Sequence, residues 1–127
     1  MGLRYAMERK QFGKPIAEFQ LIQAMLADSR TECEAALAMV RSAAAKKEAG
    51  ENVATLAACC KLFATEMVGR IADRTVQIHG GAGYIADYGA ERFYRDVRLY
   101  RIYEGTSQIQ QLIIARDMIR EMKAEMG

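Results

Sequence analysis

Three short segments carry the residue types from which a binding or catalytic site could be built. They are Glu8–Gly13, Gln77–Gly83 and Tyr103–Gln108, and each combines charged, amide or glycine residues beside apolar, helix-like stretches. All three lie at the ends of predicted helices, where the first turn presents unpaired backbone N–H groups and a partial positive charge. Phosphates and carboxylates are favoured at such positions, so we predict an anionic ligand.

The glycines of the second segment fit neither common phosphate-binding motif. Gly80, Gly81 and Gly83 follow a predicted helix rather than a strand, and the chain contains no Gly-Lys-Ser or Gly-Lys-Thr. A strand–turn–helix dinucleotide fingerprint and a P-loop are therefore both excluded. Taken alone, the three glycines are turn residues.

The composition is that of an ordinary folded domain. The chain has 127 residues, of which 51% are hydrophobic and 27% charged, and we predict one domain over residues 1–127. The net charge of +2 is spread along the chain and predicts no nucleic-acid surface. No apolar run approaches the roughly 20 residues that a membrane span needs, so we expect a soluble intracellular protein.

The cysteines do not predict a metal site. Cys33, Cys59 and Cys60 lack the spacing that zinc coordination requires, and all three lie in apolar-periodic stretches. We interpret them as reduced thiols of the core.

The apolar periodicity that must position these segments is helical throughout. A first long helix is predicted from Ile16 to Ala49, with Pro15 in its first turn and Gly50 as its left-handed cap. A second begins at the N-cap Asn52 and runs to about Ile78. Strand signals are essentially absent.

Two shorter helices complete the predicted fold. One runs from about Gly89 to Val97, and a loop from Tyr100 to Gly105 leads to a last helix capped by Thr106 or Ser107. The prediction is an all-α, up-and-down, four-helix-bundle-like domain with two long helices, a Gly-rich turn, a short helix and a C-terminal helix.

The three segments resemble the C-terminal helical domain of the acyl-CoA dehydrogenase family. The residues with the spacing of the family signature are Gln77, Gly80, Gly81, Gly83, Tyr84, Asp87, Arg92 and Asp96. Ile102–Thr106 resembles the catalytic segment, and Tyr5–Arg9, Gln11–Gly13 and Gln20 resemble the flavin-contacting region. The resemblance covers essentially the whole chain.

This resemblance implies an FAD enzyme that removes the α-proton and the β-hydride of an acyl-CoA thioester and makes the trans-2-enoyl product. Glu104 aligns with the catalytic base, and Gly105 would lie beside the thioester, where the lack of a side chain lets substrate approach. Electrons would pass to an electron-transfer flavoprotein. A homo-oligomer, dimer or tetramer, is also implied.

The resemblance further assigns the cofactor contacts. FAD contacts across a subunit boundary fall on Arg9, Lys10, Gln11, Phe12, Phe19 and Gln20. The adenosine end of FAD, also across that boundary, matches Gln77, Ile78, His79, Gly80 and Gly81. The pyrophosphate on the catalytic subunit's own side matches Thr106, Ser107 and Gln108.

Each of these residues also has a plainer interpretation. Glu104 before a helix favours the positive end of that helix, and an isolated Arg9 is typically a solvated charge. His79, the only histidine, has no acid–base role in the family and suits capping or packing. A divergent flavin reaction such as oxygenation remains an alternative that Glu104 disfavours.

The family enzyme is about three times this size and has an N-terminal helical and a middle β-domain, which this sequence lacks. We therefore interpret the chain as an excised or split domain, and expect it alone neither to hold FAD tightly nor to dehydrogenate substrate. The alternative function is a helical oligomerisation module without catalysis of its own. The compartment would be the cytoplasm of a bacterium or the mitochondrial matrix of a eukaryote.

Overall fold

Two long antiparallel helices organise the chain. The computed structural model describes all residues from Met1 to Gly127. Helix α2 covers Gln20–Glu48 and helix α3 covers Ala54–His79. Gly50, at φ +81°, lies just after α2 in the left-handed conformation predicted for its cap. The Asn52 side chain accepts a hydrogen bond from the Ala54 N–H (3.1 Å), so it satisfies an otherwise free donor of α3.

Helix α3 is the centre of the domain. It packs against α1 (Gly2–Glu8), α2, α4 (Ala90–Arg98) and α5 (Ser107–Met126). Short 3-10 turns at Gly80–Tyr84, Ala86–Tyr88 and Leu99–Arg101 lead into and out of α4. The all-α prediction is confirmed, and the short helix and the C-terminal helix begin within a residue or two of their predicted positions.

The start of the first long helix was predicted too early. Residues Lys10–Gln11 (β1) and Lys14–Pro15 (β2) pair as a minimal antiparallel hairpin, a 3-10 turn covers Ile16–Glu18, and α2 begins only at Gln20. Pro15 therefore ends a strand instead of opening a helix. The two-residue turn between the strands, Phe12 and Gly13, has φ of 53° and 82°, which is the geometry that closes a tight hairpin.

Gly83 is the glycine that the packing of the turn requires. A Cβ at this position would lie 2.5 Å from the Val76 carbonyl oxygen and 2.9 Å from the Cβ of His79. The turn after α3 therefore folds back onto the helix at a spacing that only glycine permits. Gly81, by contrast, has open space where its Cβ would be.

We expect Gly83→Ala to lower the free energy of unfolding by about 1–3 kcal/mol, because the clash is with backbone that cannot give way. The measurement is urea denaturation followed by circular dichroism. Gly81→Ala is the matched control and should stay within about 0.5 kcal/mol of the unsubstituted chain. Equal effects of the two substitutions would contradict the assignment of Gly83 to packing.

An ion pair joins the two long helices. Glu32 of α2 accepts hydrogen bonds from Arg70 Nε and Arg74 Nη1 of α3, both at 2.8 Å. The hydrogen bond from Arg74 is the main cause that lowers the pKa of Glu32 below its ordinary value of 4.5. The folded state therefore favours the ionised carboxylate.

This lowered pKa predicts a stability that weakens in acid. The contribution of Glu32 is complete above pH 4.5 and is lost as the pH falls through the lower pKa of the folded state. We therefore expect the chain and its Glu32→Gln variant to differ in free energy of unfolding at pH 7 and to converge as the pH falls below the folded-state pKa of Glu32. A difference that stays constant across this range would contradict the prediction.

The core of the chain is small. Its buried apolar residues are mostly alanines, no large side chain is completely buried, and the main cluster is Ala6, Ile16 and Ile78. Many large apolar side chains are exposed instead, including Leu21 (82%), Leu112 (65%) and Ile119 (57%). Such a surface is typical of one that another molecule covers.

The prediction of three core thiols is wrong for one of them. Cys33 is exposed on α2. Cys59 and Cys60 are half-buried on α3, and burial together with the neighbouring Cys59 raises the pKa of the Cys60 thiol. None of the three is in a disulfide.

Candidate functional site

An open cavity of about 390 Å³ lies between residues 5–16 and the C-terminal end of α3 with the turn that follows it. Seven of the predicted cofactor residues line it: Arg9, Gln11, Gln77, Ile78, His79, Gly80 and Gly81. They come from two segments that lie far apart in the sequence. The fold therefore brings together the first two of the three segments that the sequence singled out.

Arg9 is the free charge of this cavity. Its side chain makes no ion pair or hydrogen bond within the chain, whereas the nearby Arg4 binds Glu8 at 3.1 Å. No side-chain atom is within 4 Å of where a Cβ of Gly80 or Gly81 would lie, so the backbone is bare there. A guanidinium beside open backbone is a donor set that suits a phosphate or another anion.

Aromatic rings form one wall of the cavity. Tyr5 stacks on His79 with ring centroids 4.1 Å apart, and Tyr88 meets both rings edge-on. His79 Nδ1 lies 2.7 Å from the Thr75 carbonyl oxygen, which can only accept, so Nδ1 donates. His79 is buried and held on two sides, as a packing residue is.

Four other predicted cofactor residues lie outside the lining of this cavity: Lys10, Phe12, Phe19 and Gln20. Phe12 is 93% exposed at the tip of the hairpin and meets Phe19 edge-on. Lys14 lies over the Phe19 ring at 4.8 Å. Lys10 and Phe12 therefore belong to the hairpin and Phe19 and Gln20 to the start of α2, and none of the four lines the cavity.

The third segment has an unusual backbone. Glu104 and Phe12 are the only non-glycine residues with positive φ, and both have φ of 53°. The left-handed conformation costs a residue with a side chain about 1–3 kcal/mol, so the surrounding structure must hold Glu104 in it. Gly105 follows at φ 85°, a value that glycine adopts without strain. The Glu104 side chain is exposed to solvent.

Helix α5 begins directly after this loop. Thr106 is its N-cap, and its Oγ1 accepts a hydrogen bond from the Ile109 N–H (3.3 Å), as predicted. Ser107 is buried and its hydroxyl donates to Glu66 Oε1 at 2.6 Å, while Gln108 is exposed. Of the three residues predicted for the pyrophosphate, Ser107 is thus already engaged within the chain.

Three residues that the sequence analysis did not select hold this loop. Lys61 Nζ donates to the carbonyl oxygens of Tyr100 (2.8 Å) and Gly105 (2.6 Å). Glu66 binds Arg101 Nη1 at 3.1 Å as well as Ser107. The available signal was a lysine and a glutamate inside the apolar stretch of the second helix, where charges need partners.

The cavity and the Glu104 loop lie at different levels of α3. The loop is attached at Lys61 and Glu66, and the cavity lies around His79, about 20 Å further along at the rise of a helix. One chain therefore does not join the two. Groups of His, Cys, Asp and Glu that could hold a metal ion are absent, and no helix is both long and apolar enough to cross a membrane.

The domain is all-α, and its candidate residues lie in two separate places, which we call the two half-sites: the cavity with Arg9, Gly80 and Gly81, and the loop with Glu104. The match to known families is specific. Residues 2–119 match the family model for the acyl-CoA dehydrogenase C-terminal domain, and the chain belongs to this family.

The relatives are longer than this chain. It is 50% identical over 119 residues to the probable acyl-CoA dehydrogenase YngJ of Bacillus subtilis, covering 94% of this chain and 31% of that protein. It is 47% identical over 120 residues to the caffeyl-CoA reductase-Etf complex subunit CarC of Acetobacterium woodii, covering 94% and 32%. The chain thus spans about a third of these relatives.

Solved structures share its fold. Butyryl-CoA dehydrogenase from Megasphaera elsdenii matches with a TM-score of 0.90 and 37% identity, over 93% of this chain and 31% of that one. The FAD complex of PigA matches with a TM-score of 0.88 and 32% identity, over 92% and 30%.

Proposed function

We propose that the chain is the C-terminal domain of an FAD-dependent oxidoreductase that acts on the Cα–Cβ bond of an acyl-CoA thioester. The observation that carries this proposal is the Glu104 loop, in which a carboxylate is held in a left-handed conformation beside a side-chain-free Gly105. A solvent-exposed carboxylate on a strained backbone is typical of a residue that takes part in binding or catalysis.

Glu104 serves as the base. Its carboxylate takes the α-proton of the thioester, the Cα–Cβ double bond forms, and the hydride leaves Cβ. Bound FAD supplies the acceptor for that hydride. The same groups serve the reverse reaction, which fits a relative named as a reductase, because a carboxyl that accepts the α-proton also returns it. We propose dehydrogenation as the forward direction.

The cofactor contacts follow from the two half-sites. The unpaired Arg9 guanidinium and the bare backbone of Gly80 and Gly81 fit the phosphate and adenosine portion of a dinucleotide. Lys10, Gln11, Phe12, Phe19 and Gln20 border it, and Gln77, Ile78 and His79 complete its floor. The start of α5 contacts the pyrophosphate of a second FAD molecule through Thr106, Ser107 and Gln108. This second FAD is the one that reacts with the substrate beside Glu104.

This division requires a second copy of the chain or of the enzyme that carries it, and we propose a dimer or tetramer. An electron-transfer flavoprotein is the redox partner, in line with the Etf complex named for one relative. The bacterial relatives favour the cytoplasm.

The test is a chimera in which residues 1–127 replace the matching third of the Megasphaera elsdenii butyryl-CoA dehydrogenase. We expect it to retain FAD and to oxidise butyryl-CoA with a dye as acceptor, at a rate within about tenfold of the parent. The parent enzyme is the control. A chimera that binds FAD and shows no turnover would overturn the proposed activity. The isolated chain should show none.

A second candidate function is self-association without chemistry. It is favoured by the exposed apolar side chains of α5 and α2, among them Leu21, Leu112 and Ile119. This function and the first are compatible.

We expect the isolated chain to sediment as a dimer or tetramer at micromolar concentration, because a surface this apolar is stabilised by contact with a copy of itself. Leu112→Glu together with Ile119→Glu should shift it towards monomer. Lys123→Glu, on the exposed last turn of α5, is the control. A strict monomer at high concentration would argue against association as a property of this domain.

A further inference from the structure

The loop that carries Glu104 is fastened at both ends to one helix. On its N-terminal side, the Tyr100 carbonyl oxygen accepts a hydrogen bond from Lys61, and the Arg101 guanidinium donates one to Glu66. On its C-terminal side, the Gly105 carbonyl oxygen accepts a hydrogen bond from the same lysine, and the Ser107 hydroxyl donates one to the same glutamate. Two side chains of α3 therefore bridge the two ends of a loop of four residues, Ile102–Gly105.

The way in which Lys61 is bound supports this role. It has no carboxylate partner, and its ammonium group is satisfied by the two carbonyl oxygens at 2.8 and 2.6 Å. A lysine with no structural duty would extend into water. Here its charge strengthens two hydrogen bonds to backbone carbonyls. Gln110 Nε2 of α5 adds longer contacts, at 3.4 Å, to the carbonyl oxygens of Glu104 and Gly105.

Helix α3 is also shaped to bring Arg101 close. Gly69 lies opposite Arg101, and a Cβ there would be 2.8 Å from Arg101 Nη2. The guanidinium therefore lies directly against the helix, within reach of Glu66. Arg101 and Glu66 are each about one-third exposed, so this pair is partly shielded from solvent.

We propose that Lys61 and Glu66 are positioning residues that hold Glu104 in its left-handed conformation. The backbone strain at Glu104 needs an external restraint, and these four hydrogen bonds act on both sides of it. The proposal deepens the proposed function, on which its catalytic consequence rests. Its structural part concerns the isolated chain alone.

The structural part is tested by proteolysis with an endoproteinase that cuts after glutamate. Glu104 lies in the fastened loop, and Glu51 lies in the connection between α2 and α3, which serves as the reference within the same molecule. We expect Lys61→Met to raise the rate of cleavage after Glu104 about tenfold and to leave cleavage after Glu51 unchanged. Glu66→Gln should act in the same direction, and Lys47→Met on exposed α2 should change neither rate.

The catalytic part is tested in the chimera. Lys61→Met should lower kcat about tenfold with KM within about twofold, and Lys61→Arg, which can still donate to both carbonyls, should restore most of kcat. Unchanged cleavage after Glu104 together with unchanged kcat would overturn the proposal. Equal acceleration at Glu51 would also overturn it, because the variant would then only be less stable. An inactive unsubstituted chimera would instead contradict the proposed function, and the cleavage rates alone would then test whether Lys61 and Glu66 restrain the loop.

Discussion

Glu104→Gln in the chimera should reduce turnover of butyryl-CoA by about 10²–10⁴-fold, the range expected when a general base is removed. The amide has nearly the same shape as the carboxylate but cannot take the α-proton. Because the substitution leaves the left-handed loop and its fastenings in place, FAD content and thermal stability should not change. Substrate binding should also persist, so the loss should appear in kcat.

The control for Glu104→Gln is Glu125→Gln, a substitution on the exposed last turn of α5. The turnover of this variant should equal that of the unsubstituted chimera. A Glu104→Gln chimera that turns over at more than about one-tenth of the unsubstituted rate would exclude Glu104 as the base. Exchange of the substrate α-proton with solvent gives an independent measurement, since it needs the base and no electron acceptor.

Arg9→Ala should weaken FAD binding to the chimera by about 10–100-fold, the effect of losing charged hydrogen bonds to an anion. Arg9 is the cation of the cavity without a partner in the chain, so the structure leaves its donors for a ligand. Gln77→Ala, which alters another lining residue of the same cavity, should weaken binding by a smaller factor because it removes no charge. The measurement is reconstitution of the apoprotein followed by flavin fluorescence anisotropy.

Arg4→Ala is the matched control for Arg9. It removes an arginine from α1, which ends one residue before Arg9, but this arginine is already paired with Glu8 and largely exposed. The affinity for FAD should stay within about twofold of the unsubstituted chimera. If Arg4→Ala and Arg9→Ala weaken binding equally, the effect is one of net charge, and the cavity loses its assignment as a phosphate site.

The helices could be predicted from the sequence because their signals are local. Gly50, Asn52 and Thr106 end or begin helices through hydrogen bonds to residues a few positions away. The β-hairpin escaped prediction for a related reason. Its strands have only two residues each, too few for an alternating pattern, and its turn uses Phe12 where asparagine or glycine is the usual signal.

For the candidate site, too, the sequence predicts local features, whereas contacts between distant residues follow only from the fold. The residue types at Arg9, Gln77 and Glu104 and their spacing selected three candidate segments, but only the fold shows that the first two line one cavity and the third lies elsewhere. The sequence shows Lys61 and Glu66 as charges within an apolar stretch, but it does not show their partners, which are 35 to 44 residues away along the chain. Pairings of that range depend on how α4 and α5 pack against α3.

The distance between the two half-sites along α3 has a genetic consequence. If each active centre takes its carboxylate from one subunit and its arginine from the neighbour, a subunit defective in Arg9 and a subunit defective in Glu104 are complementary. A mixed dimer of the two would hold one centre with both residues intact and one with neither. Two inactive alleles would then restore part of the activity when expressed together, although neither supports it alone.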